Sequence, residues 1–183
     1  ELVERFAQQT CVAIANADQY RRQGRRADQM RSLAEVSAAL SSTLDLDRVL
    51  KLILEQLGRV IEFDNAAIEQ LDGDTLSVIA EYGKEPAPAV PMRVNVRDNY
   101  LARQVLEERK PIVLGDAPRH PDFIRMDRRV RSWIGAPLLV ADQPIGMLVV
   151  DAYQPDRYNE DDAEVVAQFA RQAALAIDRA RLF

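Results

Sequence analysis

Cysteine, histidine and tryptophan are scarce in this chain of 183 residues, which contains one of each. The single cysteine, Cys11, excludes a disulfide within the chain and a thiolate metal site, and it suits a reducing compartment. Its place in an apolar helical pattern predicts a small core residue. One histidine with one cysteine also argues against a structural zinc site, so we assign no metal ligands.

Long apolar runs and an excess of basic charge are absent as well. No apolar run reaches the roughly 18–20 residues of a membrane span, and no secretory leader opens the chain. The net charge is −5, from 24 basic and 29 acidic residues, which is unlike a nucleic-acid-binding surface. We therefore expect a cytoplasmic domain with no nucleic-acid partner and no membrane contact. Because the chain starts without Met, we interpret it as part of a longer protein.

The first forty residues contain no Pro and one Gly, and this composition predicts one long helix. Apolar and small residues recur there at alternating spacings of three and four, the period of a coiled-coil seam. The residues that we expect at a homodimer interface along this helix are Val3, Phe6, Ala13 and Tyr20. The alternative is that the helix packs against its own domain.

The rest of the chain mixes helical and strand patterns. An amphipathic helix follows Asp45, and strands are predicted at 65–71, 74–82, 92–96, 111–114, 131–140 and 144–152, the first two joined by an Asp72-Gly73 turn. Further helices are predicted from Asp98 or Asn99 to about 109 and, with Asn159 as the cap, from about 160 to 183. Hairpins outnumber crossovers, so we predict an α+β fold with an antiparallel sheet of about six strands and helices on one face.

The two ends of the chain resemble each other. Residues 1–17 align with residues 164–180 at a constant offset, with eight identities in seventeen positions. A fixed period is typical of an array. We therefore predict that residues 1–29 are a linker helix, which ends a preceding copy of the domain, and that residues 30–183 form the next copy.

Three segments together resemble a GAF domain, the small-molecule sensor module of bacterial signalling proteins. They are SAALSSTLDLDRVLKLILEQL, RSWIGAPLLVADQPIGMLVVDA and YNEDDAEVVAQFARQAALAIDRARLF, and the resemblance covers about residues 30–183. It implies a six-stranded antiparallel sheet, helices packed behind it, and a pocket on the opposite side roofed by loops. It also implies an output domain in the same chain, such as a histidine kinase or a cyclic-dinucleotide enzyme.

The segments that line or roof the family's pocket supply the candidate ligand residues. These are Trp133, Tyr82, Asn99, Asp116, Phe123 and His120. Alternation does not decide whether the Trp133 side or the Ser132 side of its strand faces the pocket. His120 is either a ligand-binding imidazole or a surface residue, and the arginines around it either attract an anionic ligand or form local ion pairs.

Cofactor motifs of the family are mostly missing. Its cyclic-nucleotide binders carry an Asn-Lys pair and later an Asp-Glu pair, where this chain has Asp151-Ala152 and Asp162-Ala163. Its bilin-binding members attach the pigment to a pocket Cys, whereas Cys11 lies on the linker. We therefore leave the cofactor unassigned, with haem, bilin and cyclic nucleotides not expected.

Two functions remain open at this point. One is a sensor domain, as in a two-component system, that binds a small ligand and passes the signal through dimeric helices to an output domain. The other is a ligand-free dimerisation spacer in a tandem GAF array. No Ser/His/Asp or metal-spaced cluster stands out, and the methionine sulfoxide reduction of some GAF-like proteins needs reactive thiols. We therefore expect no enzymatic activity.

Overall fold

The computed structural model describes residues 46–83 and 93–181. The predicted linker helix 1–29 and its interface residues Val3, Phe6, Ala13 and Tyr20 lie outside these ranges, so the dimer and the domain boundary stay predictions. Across the described part, every helix is too short or too polar to cross a membrane.

Six strands form one antiparallel sheet in the order β3-β2-β1-β6-β5-β4. The strands are β1 Asn65–Asp72, β2 Thr75–Gly83, β3 Arg93–Asn95, β4 Ile112–Leu114, β5 Ser132–Val140 and β6 Gln143–Ala152. The predicted fold class is thereby confirmed. The centre of the sheet pairs β1 with β6, two strands that are far apart in the chain.

The two hairpin turns differ slightly from their predicted positions. The first turn is Gly73-Asp74, one residue later than predicted, and Gly73 supplies the left-handed backbone with φ 58°. The second turn is Ala141-Asp142, and both of its residues have positive φ, 46° and 64°. Positive φ at both central residues matches the twist of a two-residue hairpin, so β6 already begins at Gln143.

In residues 46–83 and 93–181, three α-helices accompany the sheet: α1 Leu46–Val60, α2 Tyr100–Glu108 and α3 Glu160–Arg181. Asn99 caps α2, because its Oδ1 accepts a hydrogen bond of 3.1 Å from the amide of Ala102. Asn159 precedes α3 and accepts from the amides of the second and third helical residues, while Asp162 Oδ2 accepts from the Asn159 amide. These reciprocal bonds satisfy amides that the helix itself leaves without acceptors.

The helices divide between the two faces of the sheet. Helices α1 and α3 bury the main core against one face, with Ile68, Ile134 and Leu148 fully buried at the centre of the sheet. The short helix α2 packs on the opposite face, in a second cluster with Trp133 and Met147. The sheet therefore has an extended helical layer on one side and a partial cover on the other, where space is left for a ligand.

Candidate ligand cavity

A cavity of about 530 Å³ lies on the face of the sheet opposite α1 and α3. The sheet forms its floor, with side chains from β1, β2, β5 and β6. Helix α2 and residues 123–130 form its other walls. The lining residues used below are Asn65, Ala67, Glu69, Val78, Tyr82, Asn99, Phe123, Asp127, Trp133, Met147, Val149 and Asp151.

An aromatic wall forms one side of the cavity. Trp133 is 7% exposed, and its ring lies edge-to-face with Phe123 at a centroid distance of 6.3 Å. A Cβ at Gly135, two residues along β5, would overlap the Trp133 ring, so only glycine leaves room for the indole there. Trp133 therefore belongs to the cavity side of β5, whereas Ser132 and Ile134 lie on the side of α1 and α3.

Two carboxyls line the cavity without a partner. Within residues 46–83 and 93–181, neither the Glu69 carboxyl nor the Asp151 carboxyl makes a hydrogen bond or an ion pair. Burial raises the pKa of the Glu69 carboxyl from 4.5 to about 7. Burial, and then the negative charges of Glu69, Asp127 and Asp64, raise the pKa of Asp151 from 3.8 to about 8. Near pH 7 the empty cavity therefore holds carboxyls that are partly protonated.

A polar network anchors residues 127–129 beside the cavity. The Asp127 carboxylate pairs with the Arg129 guanidinium at 2.9 Å, and the hydrogen bond from Arg129 holds the pKa of Asp127 below its ordinary value. The Arg129 guanidinium also lies over the Tyr153 ring, 4.6 Å from its centroid. Asn65 Nδ2 donates to the Tyr153 hydroxyl at 2.9 Å. Asp127 thus lines the cavity with its charge already paired.

Four of the six predicted ligand residues border this cavity: Tyr82, Asn99, Phe123 and Trp133. The Tyr82 ring itself packs edge-to-face against Phe63, on the side of α1. Asp116 and His120 are not among the lining residues. Asp116 bonds to Arg131 at 3.1 Å and to Arg119 at 3.0 Å, and the Arg131 hydrogen bond lowers its pKa.

His120 Nδ1 accepts a long hydrogen bond of 3.3 Å from the Asp122 amide. The Arg-rich loop thus forms local ion pairs, since Arg119, Arg129 and Arg131 all contact carboxylates. Whether the four bordering residues bind a ligand stays a prediction.

Glu69 and Asp151 were missed as site residues in the sequence. Asp151 is an acidic residue after an apolar run of β6, which was the available signal, whereas Glu69 lies in the mixed polar strand β1 and gave none. Asp151 drew attention only as a departure from a cyclic-nucleotide motif. Their common position depends on the pairing of β1 with β6, which no local pattern reveals.

Comparison with known proteins identifies the fold family. A family model described as GAF domain matches residues 43–178, about three quarters of the chain. The chain belongs to the GAF domain family. GAF domains are regulatory sensor domains in signalling proteins, so the coarse functional expectation is confirmed.

One curated relative of this GAF domain is a Nif-specific regulatory protein from Herbaspirillum seropedicae. It is 24% identical over 149 residues, which cover 76% of this chain and 27% of that protein. The chain therefore spans about a quarter of the length of this relative. The match therefore shows neither an activity nor a partner for this chain.

A similar solved structure corrects the expectation of no enzymatic activity. The structure of a free methionine-R-sulfoxide reductase from Neisseria meningitidis, in complex with its substrate, matches this GAF domain with a TM-score of 0.72 at 20% identity. The match covers 84% of this chain and 90% of the reductase. Excluding enzymatic activity was therefore wrong, because enzymes share this fold.

Another similar structure concerns cofactors. The phycocyanobilin-bound GAF domain of a cyanobacterial phytochrome matches with a TM-score of 0.70 at 19% identity, over 84% of this chain and 96% of that one. At this identity the likeness shows the fold, and it assigns no cofactor to the chain. Within residues 46–83 and 93–181 no three His, Cys, Asp or Glu side chains group closely enough to hold a metal ion.

Proposed function

We propose that this GAF domain is a regulatory sensor that binds a small organic ligand in the cavity. The signal then passes through dimeric helices to an output domain of a bacterial signalling protein. The cavity itself carries the proposal: its volume of about 530 Å³ lies within the range of small-molecule sites, which are mostly apolar with a few polar groups. The carboxyls without partners add polar groups that a ligand can engage.

The architecture supports a route from the cavity to the helices. On β6, Asp151 lies between Val150 and Ala152, which are buried in the core with α1 and α3. A ligand that moves β6 therefore acts on residues packed in the helical layer. Helix α3 runs to Arg181, close to the end of the chain, and it contacts both α1 and β5. A small shift of this helix is a plausible input to a downstream two-state element.

The first test is a thermal-shift screen of the purified chain against a metabolite library, combined with native mass spectrometry. We expect a compound that raises the melting temperature of the wild type and appears as added mass. Ala67→Leu fills the cavity from β1 and should abolish the shift. Ser77→Leu adds the same side chain at a β2 position that does not line the cavity, and it should keep the shift.

The alternative function is a dimerisation spacer without a ligand. A dimer in native mass spectrometry that retains no added mass, and that no library compound stabilises, would support the spacer and contradict the sensor proposal. A compound that stabilises the wild type and Ala67→Leu equally would place binding outside the cavity. A monomeric chain would contradict transmission through dimeric helices.

A further inference from the structure

The charge in the cavity is of one sign. The described lining residues that carry a carboxyl are Glu69, Glu81, Asp127 and Asp151, and none of the described lining residues is Lys, Arg or His. Asp127 is paired with Arg129, and Glu81 is exposed to solvent. Glu69 and Asp151 remain as the two carboxyls whose charge no described basic group offsets.

The strand register places these two carboxyls on the same face of the sheet. Asp151 lies opposite Asn65, and Glu69 lies opposite Met147. Ala67 and Val149 form the pair between them. Four residues along a strand correspond to about 13 Å between α-carbons, so the carboxyls flank an apolar floor that an organic group can cover.

The aromatic wall borders the floor between the two carboxyls, because the Trp133 ring leans over Gly135, the cross-strand partner of Val149. Trp133 on β5 is the direct cross-strand partner of Asp151 on β6, and Phe123 packs against the Trp133 ring. An aromatic face next to a carboxylate is a favourable environment for an organic cation, because the ring and the carboxylate both attract positive charge.

We propose that the cavity binds an organic cation: a primary ammonium, guanidinium or amidinium group on an apolar or aromatic body. The charged group lies at the Asp151 carboxyl, and the body lies on the floor against Trp133 and Phe123. The negative charge of Glu69, at the other end of the floor, adds to the attraction. This inference rests on the proposed function, because it names the ligand class of the same cavity.

The protonation of the carboxyls supplies a signature for this binding. The groups that face Asp151 are Glu69 on β1, Asp64 just before β1, Asp127 on the loop and the hydroxyl of Tyr158. Burial, and then the three carboxylates, raise the pKa of Asp151. The Arg129 guanidinium is held by Asp127. A bound cation favours the ionised carboxyls, so binding near pH 7 releases protons and strengthens as the pH rises from about 6 to 8.

The experiment uses isosteric probes that differ in charge on two body sizes. The larger set is biphenyl-4-ylmethylamine, biphenyl-4-ylmethanol and biphenyl-4-carboxylate; the smaller set is benzylamine, benzyl alcohol and benzoate. Isothermal titration calorimetry at about pH 8 measures affinity for the 183-residue chain. Titration at about pH 7 in two buffers with different ionisation heats counts the protons released. We expect at least one amine to bind about tenfold tighter than its alcohol, with proton release for the amine only.

Two variants connect the effect to the carboxyls. Asp151→Asn should weaken amine binding by about tenfold, and Glu69→Gln by a smaller factor; both should reduce proton release, with alcohol binding unchanged. Asp142→Asn is the matched control, because it removes an exposed carboxyl at a turn residue with φ 64°, which Asn tolerates. This control should bind the amine as the wild type does.

The outcomes separate this inference from the proposed function. Tighter binding of the alcohols or acids, equal binding of all three charges, or no binding of any amine would overturn the cationic ligand. If the metabolite screen then still finds a neutral or anionic ligand in the cavity, the sensor proposal stands and only the ligand class is wrong. If that screen also finds nothing, both proposals fail.

Discussion

Asp151→Asn is expected to stabilise the empty domain above about pH 7. The Asp151 carboxyl is buried without a hydrogen-bond or ion-pair partner among the described residues. Burial raises its pKa from 3.8 to about 8. The folded state therefore holds a proton that the unfolded state has released. Since the unfolded state binds fewer protons between these pKa values, the free energy of unfolding falls as the pH rises through this window.

The magnitude follows from the two pKa values. One proton is worth about 1.4 kcal/mol per pH unit, and the folded carboxyl keeps its proton until about pH 8. Between pH 6 and pH 8 this single group thus lowers the free energy of unfolding by about 2 kcal/mol. The Asn variant lacks this contribution. The difference between its free energy of unfolding and that of the wild type should therefore grow by about 2 kcal/mol between pH 6 and pH 8.

Urea denaturation followed by circular dichroism at pH 6, 7 and 8, at constant ionic strength, measures this difference. The exposed carboxyl variant Asp142→Asn should lose stability with pH as the wild type does. The reasoning is refuted if the wild type is equally stable at pH 6 and pH 8, or if Asp151→Asn loses as much stability as the wild type.

Three further predictions concern packing, the buried hydroxyl and assembly. Gly135→Ala should destabilise the domain by about 1–3 kcal/mol, because the new methyl group displaces the Trp133 ring. Since Trp133 is the single tryptophan, its fluorescence emission should shift as well. Unchanged emission would contradict this prediction. Ser132→Ala should lower the free energy of unfolding by about 1–3 kcal/mol in urea denaturation. The buried Ser132 hydroxyl accepts a hydrogen bond from the Arg157 amide and lies 2.8 Å from two carbonyl oxygens. An unchanged free energy of unfolding would exclude this role. Replacing Phe6 and Tyr20 by Asp should give monomers in native mass spectrometry, and a persistent dimer would exclude the predicted seam.

Elements whose signals are local could be predicted closely. The apolar strands that became β5 and β6 and the cap Asn159 were predicted at nearly the right residues, and Asn99 was one of two candidates for the cap of α2. Each depends on a few neighbouring residues: alternation along a strand, or a short polar side chain ahead of a helical pattern. The second turn is one residue shorter than predicted, because left-handed backbone at Ala141 is unusual for alanine and gives no sequence signal.

The candidate site was only partly predictable for a related reason. Tyr82, Asn99, Phe123 and Trp133 were taken from segments that line the family's pocket, and they do border the cavity. Asp116 was taken in the same way, but its carboxylate binds Arg131 instead. Segment position carries over between relatives more readily than the direction of one side chain, which depends on the ion pairs available in each chain.

The amino-acid sequence by itself determined the strands, the helices and the GAF family, because these follow from periodicity and from motifs within short segments. Only the tertiary structure decided which face of β5 carries the cavity and that Glu69 and Asp151 share it. These two residues are 82 positions apart, and the β1–β6 pairing places them on one face. The physical reason is that a carboxyl's pKa and its lack of a partner depend on neighbours in space, which the order of residues does not show.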